Sequence, residues 1–388
     1  MKRPLILVAG AFGYGNVGDD AIGVATCALL REIAPDVRIV VLGGESSRIN
    51  QTMGEIGRHL GWRSPLAAAR LLTLIRSSSA VLIGGGGLLQ DVLPHFYRPF
   101  CVLALVAKAL GRPVMFYSVG VYPPRTEAFQ KMLRRAVSHA NVVTVRDEFS
   151  AQALATAGVD RPVTIVADPA ITLRPLPSPL ASRRDGRPLV GVSLRPWFHL
   201  EELETGDMRE LARLAARCLD AVVAESGADL RFIPMHFGSA DDDAHFQERV
   251  IRLMRSPAMI ELSANQRPAD ALREIAGCDV LLGMRLHANI LAAAAGVPSI
   301  ALVYDPKVRQ FMRQLGCEDR VLDIHTLQPS DVAAHVVALL ADREKAALDM
   351  RDHVAAMAAS ARECAATAAR LAGCRQAHPE ADNLAMGA

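Results

Sequence analysis

The residues best suited to chemistry lie in one stretch, Cys278 to Val308, reading CDVLLGMRLHANILAAAAGVPSIALVYDPKV. The apolar run Val280–Leu282 is broken by Gly283, and an Ala-rich segment, Leu286–Ala295, follows and is stopped by Gly296 and Pro298. Strand, helix and strand in that order form the crossover of a parallel sheet, whose ligands collect at the carboxyl ends of its strands. One such end carries Arg285 and His287, and the next carries Tyr304, Asp305 and Lys307. Two cations and an imidazole beside a helix N-terminus suit an anion whose reaction also moves a proton. The competing reading makes Arg285 and Lys307 solvated loop charges and His287 a core histidine.

Other candidates repeat the pattern. Gly84 to Gly87 directly follow the apolar run Ala80–Ile83, and glycines there either let backbone N–H groups approach a phosphate or carboxylate or simply close a tight turn. No Lys-Ser or Lys-Thr follows, so this is no Walker loop. Arg146-Asp147, Asp168 and Arg195 each stand at the end of a predicted strand, where a surface ion pair is the plain alternative to a ligand contact. Gly13-Tyr14-Gly15-Asn16-Val17-Gly18 spells GxGxxG, and Glu45 lies near the end of the second predicted strand. The first strand ends around Ala9, however, too early for a dinucleotide turn, and Asp19 and Asp20 would repel a pyrophosphate. Those two carboxylates either cap the helix or present one member that takes a proton from a sugar hydroxyl, and the pattern leaves both open. Asp241-Asp242-Asp243 opens an amphipathic segment, Ala244–Met254, and reads as a cap rather than a metal-binding DxD. No His, Cys and Asp cluster has metal-ligand spacing, so no metal is expected; His236 is ambiguous.

These residues need a scaffold, and the alternation of elements supplies one. Strands are predicted at Leu5–Ala9, Arg38–Leu42, Val81–Ile83, Val114–Ser118, Val142–Val145 and Val163–Ala167, with helical spacing over Pro65–Arg76 and Ala128–His139. Alternation resumes at Leu189–Leu194, Leu230–Met235, Met259–Leu262, Val280–Leu282 and Ser299–Val303. Between them residues 171–188 hold four prolines and a charged run, as a connector does. The expected organisation is an N-terminal Rossmann-like domain over 1–170, that linker, and a second Rossmann-like domain over 189–327. A helical segment over 328–373, capped by Ser330, and a flexible tail over 374–388 complete it. The class is α/β: two doubly wound domains facing a cleft, of the glycosyltransferase-B type.

Composition narrows the function. With 388 residues and 51% hydrophobic content the chain has enough for two cores. Forty-three Lys and Arg against 41 Asp and Glu leave a net charge of +2, too weak a field to attract nucleic acid. Seven scattered Cys with no CxxC pair point to a reducing cytosol. The N-terminal apolar run is short and leads straight into a Gly-rich turn, so it reads as a first buried strand rather than an export signal.

The arrangement RLHA, then GVP, then YDPKV, preceded in order by GYGNVGDDAI, GGGGLLQD, VRDEFS and ADPA, resembles the polysaccharide pyruvyl transferases, the CsaB-like enzymes of bacterial envelope assembly. The resemblance covers nearly all of the chain up to about Gln310. One departure is Ser118, in Tyr117-Ser118-Val119-Gly120, where the family often has Gln. The resemblance implies transfer of pyruvate from phosphoenolpyruvate to a sugar of an envelope polysaccharide or its lipid-linked precursor, forming a cyclic ketal and releasing phosphate. No cofactor beyond the phosphoenolpyruvate co-substrate is expected, and the location is cytoplasmic, with room for contact at the inner face of the membrane. His287 and Asp19 are the expected catalytic residues. Arg146, Arg285, Lys307, Asn16, Gly85, Gly86, Asp91, Arg195 and Asp305 are the expected substrate-binding ones. His287 either protonates the methylene carbon or assists the departing phosphate. A nucleotide-sugar glycosyltransferase of the same architecture is the alternative, using the cations on a diphosphate.

Overall fold

The computed structural model describes residues 3–44, 65–93, 96–175, 186–196, 208–238, 242–256, 258–264 and 267–375, and the backbone of 56–58. Glu45, Asp241, residues 176–185 of the expected linker and the tail beyond 375 lie outside the described residues. The chain forms two compact units. The first takes Met1–Phe12, Ile22–Pro169 and Ala359–Ala388, and the second takes Gly13–Ala21 and Ala170–Ala358.

The first unit is built on β1 (Leu5–Ala9), β2 (Arg38–Gly43), β3 (Ile56–Arg58), β4 (Ala80–Gly84), β5 (Val114–Val119), β6 (Val142–Val145) and β7 (Thr164–Ile165). They pair in the order β3-β2-β1-β4-β5-β6-β7, every pair parallel. All residues of β1, β4 and β5 are buried, as near-continuous apolar runs must be when helices cover both faces of a sheet. The helix Glu127–Ser138 shows how sequence sets one such cover. Thr126 accepts from the Phe129 N–H and starts it, and Phe129, Leu133, Ala136 and Val137 form its buried stripe.

The second unit holds β8 (Leu189–Ser193), β9 (Asp229–Phe232), β10 (Ile260–Leu262), β11 (Val280–Gly283), β12 (Ser299–Val303) and β13 (Val321–Asp323). Their order, β10-β9-β8-β11-β12-β13, again all parallel, repeats the arrangement of the first six strands of the other unit. In both sheets the order reverses beside the first strand, between β1 and β4 and between β8 and β11. Ligands of open α/β sheets bind at such switch points. The helix Leu286–Ala295 leaves β11 and is buried on every side through Ala294, matching a sequence whose only polar residues are His287 and Asn289. Gly296, at φ 75°, ends it in the left-handed conformation that glycine takes without strain.

Several expectations need correction. β3 and β13, of three residues each, were not expected from the sequence. β7 is confined to Thr164–Ile165. The helical segment after residue 327 is two helices, Pro329–Ala341 and Arg343–Leu371. Ser330 does not cap the first: Gln328 holds the N-cap position without a side-chain bond, and Pro329 opens the helix. Nor is the segment a body of its own, since residues up to Ala358 pack with the second unit and those from Ala359 with the first. The residues Gly13–Ala21, placed by sequence in the first domain, likewise pack with the second unit.

Candidate active site

In the second unit, Arg195, Arg285 and the segment Tyr304–Lys307 follow β8, β11 and β12, three neighbouring strands, at their carboxyl ends. Asp305 caps the helix Pro306–Gln314 by accepting from the Lys307 N–H at 3.0 Å, and its other oxygen holds the Lys307 ammonium at 3.1 Å. The Arg195 guanidinium donates to the Tyr304 hydroxyl at 3.0 Å and lies 4.8 Å from the ring centroid, with the Lys307 Nζ 5.6 Å from the same ring. Burial pushes the Tyr304 hydroxyl toward higher pKa, but Lys307, Arg195 and Arg285 outweigh it and the opposing charge of Asp305, so the net shift is downward.

Arg285 is held from behind. Its Nε and Nη2 donate to the fully buried Asp243 carboxylate, at 3.0 and 2.6 Å for the shortest contacts, and Nη2 lies 3.5 Å from His236 Nδ1. Asp243 also accepts from the Met235 N–H at 3.0 Å. The acidic run therefore divides its work. Asp242 is the cap, accepting from the His245 N–H, while Asp243 is the counter-ion of Arg285. Sequence reasoning treated Asp243 only as part of a cap. The available signal was that one aspartate suffices for capping, so an adjacent second one has another task.

His287 is buried in the first turn of its helix, 9% exposed. It packs on Gly18, where a Cβ would fall 2.3 Å from the imidazole Cγ and Nδ1, so only glycine fits. The start of the helix bearing Gly18, with the residues just before it, is fixed to the strand-end segment after β9. The Val17 N–H bonds to the Met235 carbonyl at 2.9 Å, the Phe237 N–H to the Gly15 carbonyl at 3.0 Å, and Asn16 bridges His236. Asn16, expected to bind substrate, uses its side-chain oxygen to cap the helix Val17–Ile33, accepting from the Gly18 and Asp19 N–H groups. Capping thus falls to Asn16 and not to the aspartates. Asp20 is 4% exposed and accepts from the Gly13 N–H at 2.8 Å, while Asp19 is half-buried. Burial is the main force raising the Asp20 carboxyl to about 7; the Gly13 hydrogen bond opposes it and Asp19 adds to it.

The first unit gathers a second set. Arg146, 6% exposed, has Nε 3.3 Å from Asp147 and Nη1 3.7 Å from Asp168, both buried. Its guanidinium lies against Gly120, whose N–H donates to the Gly86 carbonyl at 2.9 Å. Arg146, Gly86 and Asp168 are therefore together, and Asp147 also caps the helix Glu148–Thr156. Gly84 and Gly85 serve close packing. A Cβ on Gly84 would meet the Tyr117 carbonyl oxygen, and one on Gly85 would fall 2.7 Å from Ile22. Asp91 accepts from the Arg125 and Thr126 N–H groups and the Thr126 hydroxyl, so its carboxylate clamps the turn before the helix Glu127–Ser138. Ser118, the departure noted in sequence, is buried at φ 45° and donates to the Ala167 carbonyl, inside a β5–β6 register shift.

Comparison with known proteins fits this picture. Two solved structures share the fold at low identity. The UDP-GlcNAc 2-epimerase of Neisseria meningitidis has TM-score 0.59 and 11% identity, over 94% of this chain and 99% of that one. The calicheamicin glycosyltransferase CalG4 has TM-score 0.54 and 17% identity, over 96% and 99%. The class is thus that of two parallel-sheet α/β domains, with neighbours among glycosyltransferase-B enzymes and epimerases. The family model for polysaccharide pyruvyl transferase matches residues 16–306. The amylovoran biosynthesis protein AmsJ of Erwinia amylovora is 22% identical over 286 residues, 70% of this chain and 68% of that protein. The chain belongs to the polysaccharide pyruvyl transferase family, and its work is pyruvyl transfer in polysaccharide biosynthesis. Among the described residues no helix is long and apolar enough to cross a membrane.

Proposed function

We propose that the chain moves pyruvate from phosphoenolpyruvate to two hydroxyls of one sugar in an envelope polysaccharide or its lipid-linked precursor, closing a ketal and releasing phosphate. The observation that supports this most is the grouping, in one unit of a pyruvyl transferase family member, of Arg195, Arg285, Lys307 and His287 at three neighbouring strand ends. Phosphoenolpyruvate carries a phosphate and a carboxylate, and cations at a switch point suit both. His287 then gives a proton to the methylene carbon, which makes C2 electrophilic toward the first hydroxyl. Asp20, buried and poised near neutrality, is a better candidate than Asp19 to take that hydroxyl's proton. On this reading neither a metal nor another cofactor is needed. The reaction is cytoplasmic, against the inner face of the membrane where the acceptor is lipid-linked. Incubation of the protein with phosphoenolpyruvate and candidate saccharides tests the reading, by mass spectrometry for a pyruvyl increment with equimolar phosphate. A glycosyl increment that depends on a nucleotide sugar instead would replace it with the glycosyltransferase reading.

A further inference from the structure

Forming a ketal requires two proton deliveries, one to carbon and one to the departing phosphate, and His287 accounts for the first. Tyr304 is placed for the second. It stands at the carboxyl end of β12, next to β11 and the start of the helix that carries His287. Its hydroxyl accepts from Arg195 at 3.0 Å and, among the described residues, donates to none. The charged groups around it are Arg195 from the end of β8, Arg285 from the end of β11, and Lys307 and Asp305 from its own strand end and the helix that follows. Arg285 is also paired with Asp243 behind it, so three cations face two carboxylates, and the remaining positive charge stabilises a phenolate and attracts a phosphate to the same place.

We propose that Tyr304 is the proton donor to the departing phosphate in the reaction set out above, on which this inference rests. Addition of the first sugar hydroxyl leaves C2 bearing a methyl, a carboxylate, the sugar oxygen and the phosphate ester. The C2–O bond to phosphate then breaks, its electron pair passing to the bridging oxygen. The Tyr304 hydroxyl proton goes to that oxygen, so hydrogen phosphate leaves and a phenolate remains beside Arg195 and Lys307. The second sugar hydroxyl attacks C2, and its proton returns to Tyr304. The step needs no oxidant, reductant or further reactant. The lowered pKa of Tyr304 agrees with this role, since the phenolate it must pass through is the form its neighbours favour.

Tyr304→Phe keeps the ring against Arg195 and removes only the hydroxyl. The expected result is a kcat reduced by about 10²–10⁴-fold, with the KM for phosphoenolpyruvate within about threefold of the original. The alkaline limb of the kcat profile, where the hydroxyl loses its proton, should vanish in this variant. Placing 3-fluorotyrosine, a more acidic phenol, at position 304 should move that limb to lower pH. A kcat within a few-fold of the original, or an alkaline limb that stays in Tyr304→Phe, overturns the proposal. Should Tyr304→Phe lose its melting transition, the fluorotyrosine shift decides alone, and an unmoved limb overturns it. If the unaltered protein forms no pyruvylated product from phosphoenolpyruvate, the reaction reading fails first and takes this inference with it. If it forms product and the tyrosine changes do nothing, only the inference fails.

Discussion

In the first unit, β4 leaves the switch point through Gly84–Gly87, and the nearby cation, Arg146, lies between two buried aspartates. In the second, β8 and β11 leave it through Arg195 and Arg285, with His287 in the first turn of the helix that follows. The strand order is the same. What differs is the polar chemistry that follows the strands. Two carboxylates around one guanidinium in the first unit leave a local excess of negative charge, suited to hydroxyl groups more than to a phosphate. Arg195, Arg285 and Lys307 against Asp243 and Asp305 leave an excess of positive charge in the second, suited to an anion. One topology thus carries two different polar arrangements, because topology fixes where the strand ends lie and side chains fix the charge around them.

The sharpest way to break this contrast is to remove chemistry from the second unit alone. His287→Gln is expected to lower kcat by about 10²–10⁴-fold with phosphoenolpyruvate affinity little changed, as measured by steady-state kinetics and calorimetry. Gly18→Ala should reproduce most of that loss, because the added Cβ would occupy the imidazole's place. If His287→Gln retains its kcat, the proton comes from elsewhere and the second unit is only a binding site.

Next in size is the pair behind the site. Arg285→Ala would leave the buried Asp243 carboxylate without its Arg285 counter-charge, so stability should fall by about 3–5 kcal/mol, read as a lower denaturant midpoint. Replacing both residues by apolar ones, Arg285→Met with Asp243→Leu, should recover most of that stability while activity stays lost. Recovery of both would show the pair to be structural and weaken the contrast with Arg146.

Asp20 gives a smaller effect that depends on pH. Its carboxyl is raised from 3.8 to about 7 in the folded chain, so the folded state holds a proton that the unfolded state has released between those values. Stability should therefore decline as pH rises from about 4 to 7 and level off above. Asp20→Asn, whose amide oxygen can still accept from Gly13, removes that penalty. Thermal melts should find it more stable than the original above pH 7, by up to ~4 kcal/mol, and the gain should shrink toward pH 4.

Much of this was legible in the chain itself, for physical reasons. β1, β6 and β12 read correctly to the residue because a buried parallel strand is a mostly apolar, β-branched run with sharp ends. The helix Leu286–Ala295 was equally plain, bracketed by Gly283 and Gly296. The strand-end rule likewise placed Arg285, His287 and Lys307 on one sheet. Partners across the fold were invisible. Asp243 meets Arg285 over 42 positions, and Arg195 meets Tyr304 over 109, distances at which no local pattern operates. Asn16 and Asp91 stood in motifs that resembled a ligand site, yet their side-chain oxygens close backbone turns, a use that residue type alone cannot distinguish from ligand binding.

Asp91 allows the last and smallest test, on the other side of the contrast. Its carboxylate takes the Thr126 N–H at 2.8 Å, the Thr126 hydroxyl at 2.7 Å and the Arg125 N–H at 3.2 Å, which sets the chain for the helix Glu127–Ser138. That is the work of a cap at one remove, so Asp91→Ala should cost about 1–2 kcal/mol of stability. Asp91→Asn retains an acceptor oxygen and should cost less. A turn-closing residue acts through the fold, so below the melting range both variants should keep the KM for donor and acceptor within a few-fold of the original. A residue that binds sugar would do the reverse: the melting temperature would hold, and the acceptor KM would rise by about tenfold or more, the equivalent of one hydrogen bond to a charged group. Steady-state kinetics beside a melting curve separates the two, and a raised acceptor KM at unchanged stability would return Asp91 to the binding site.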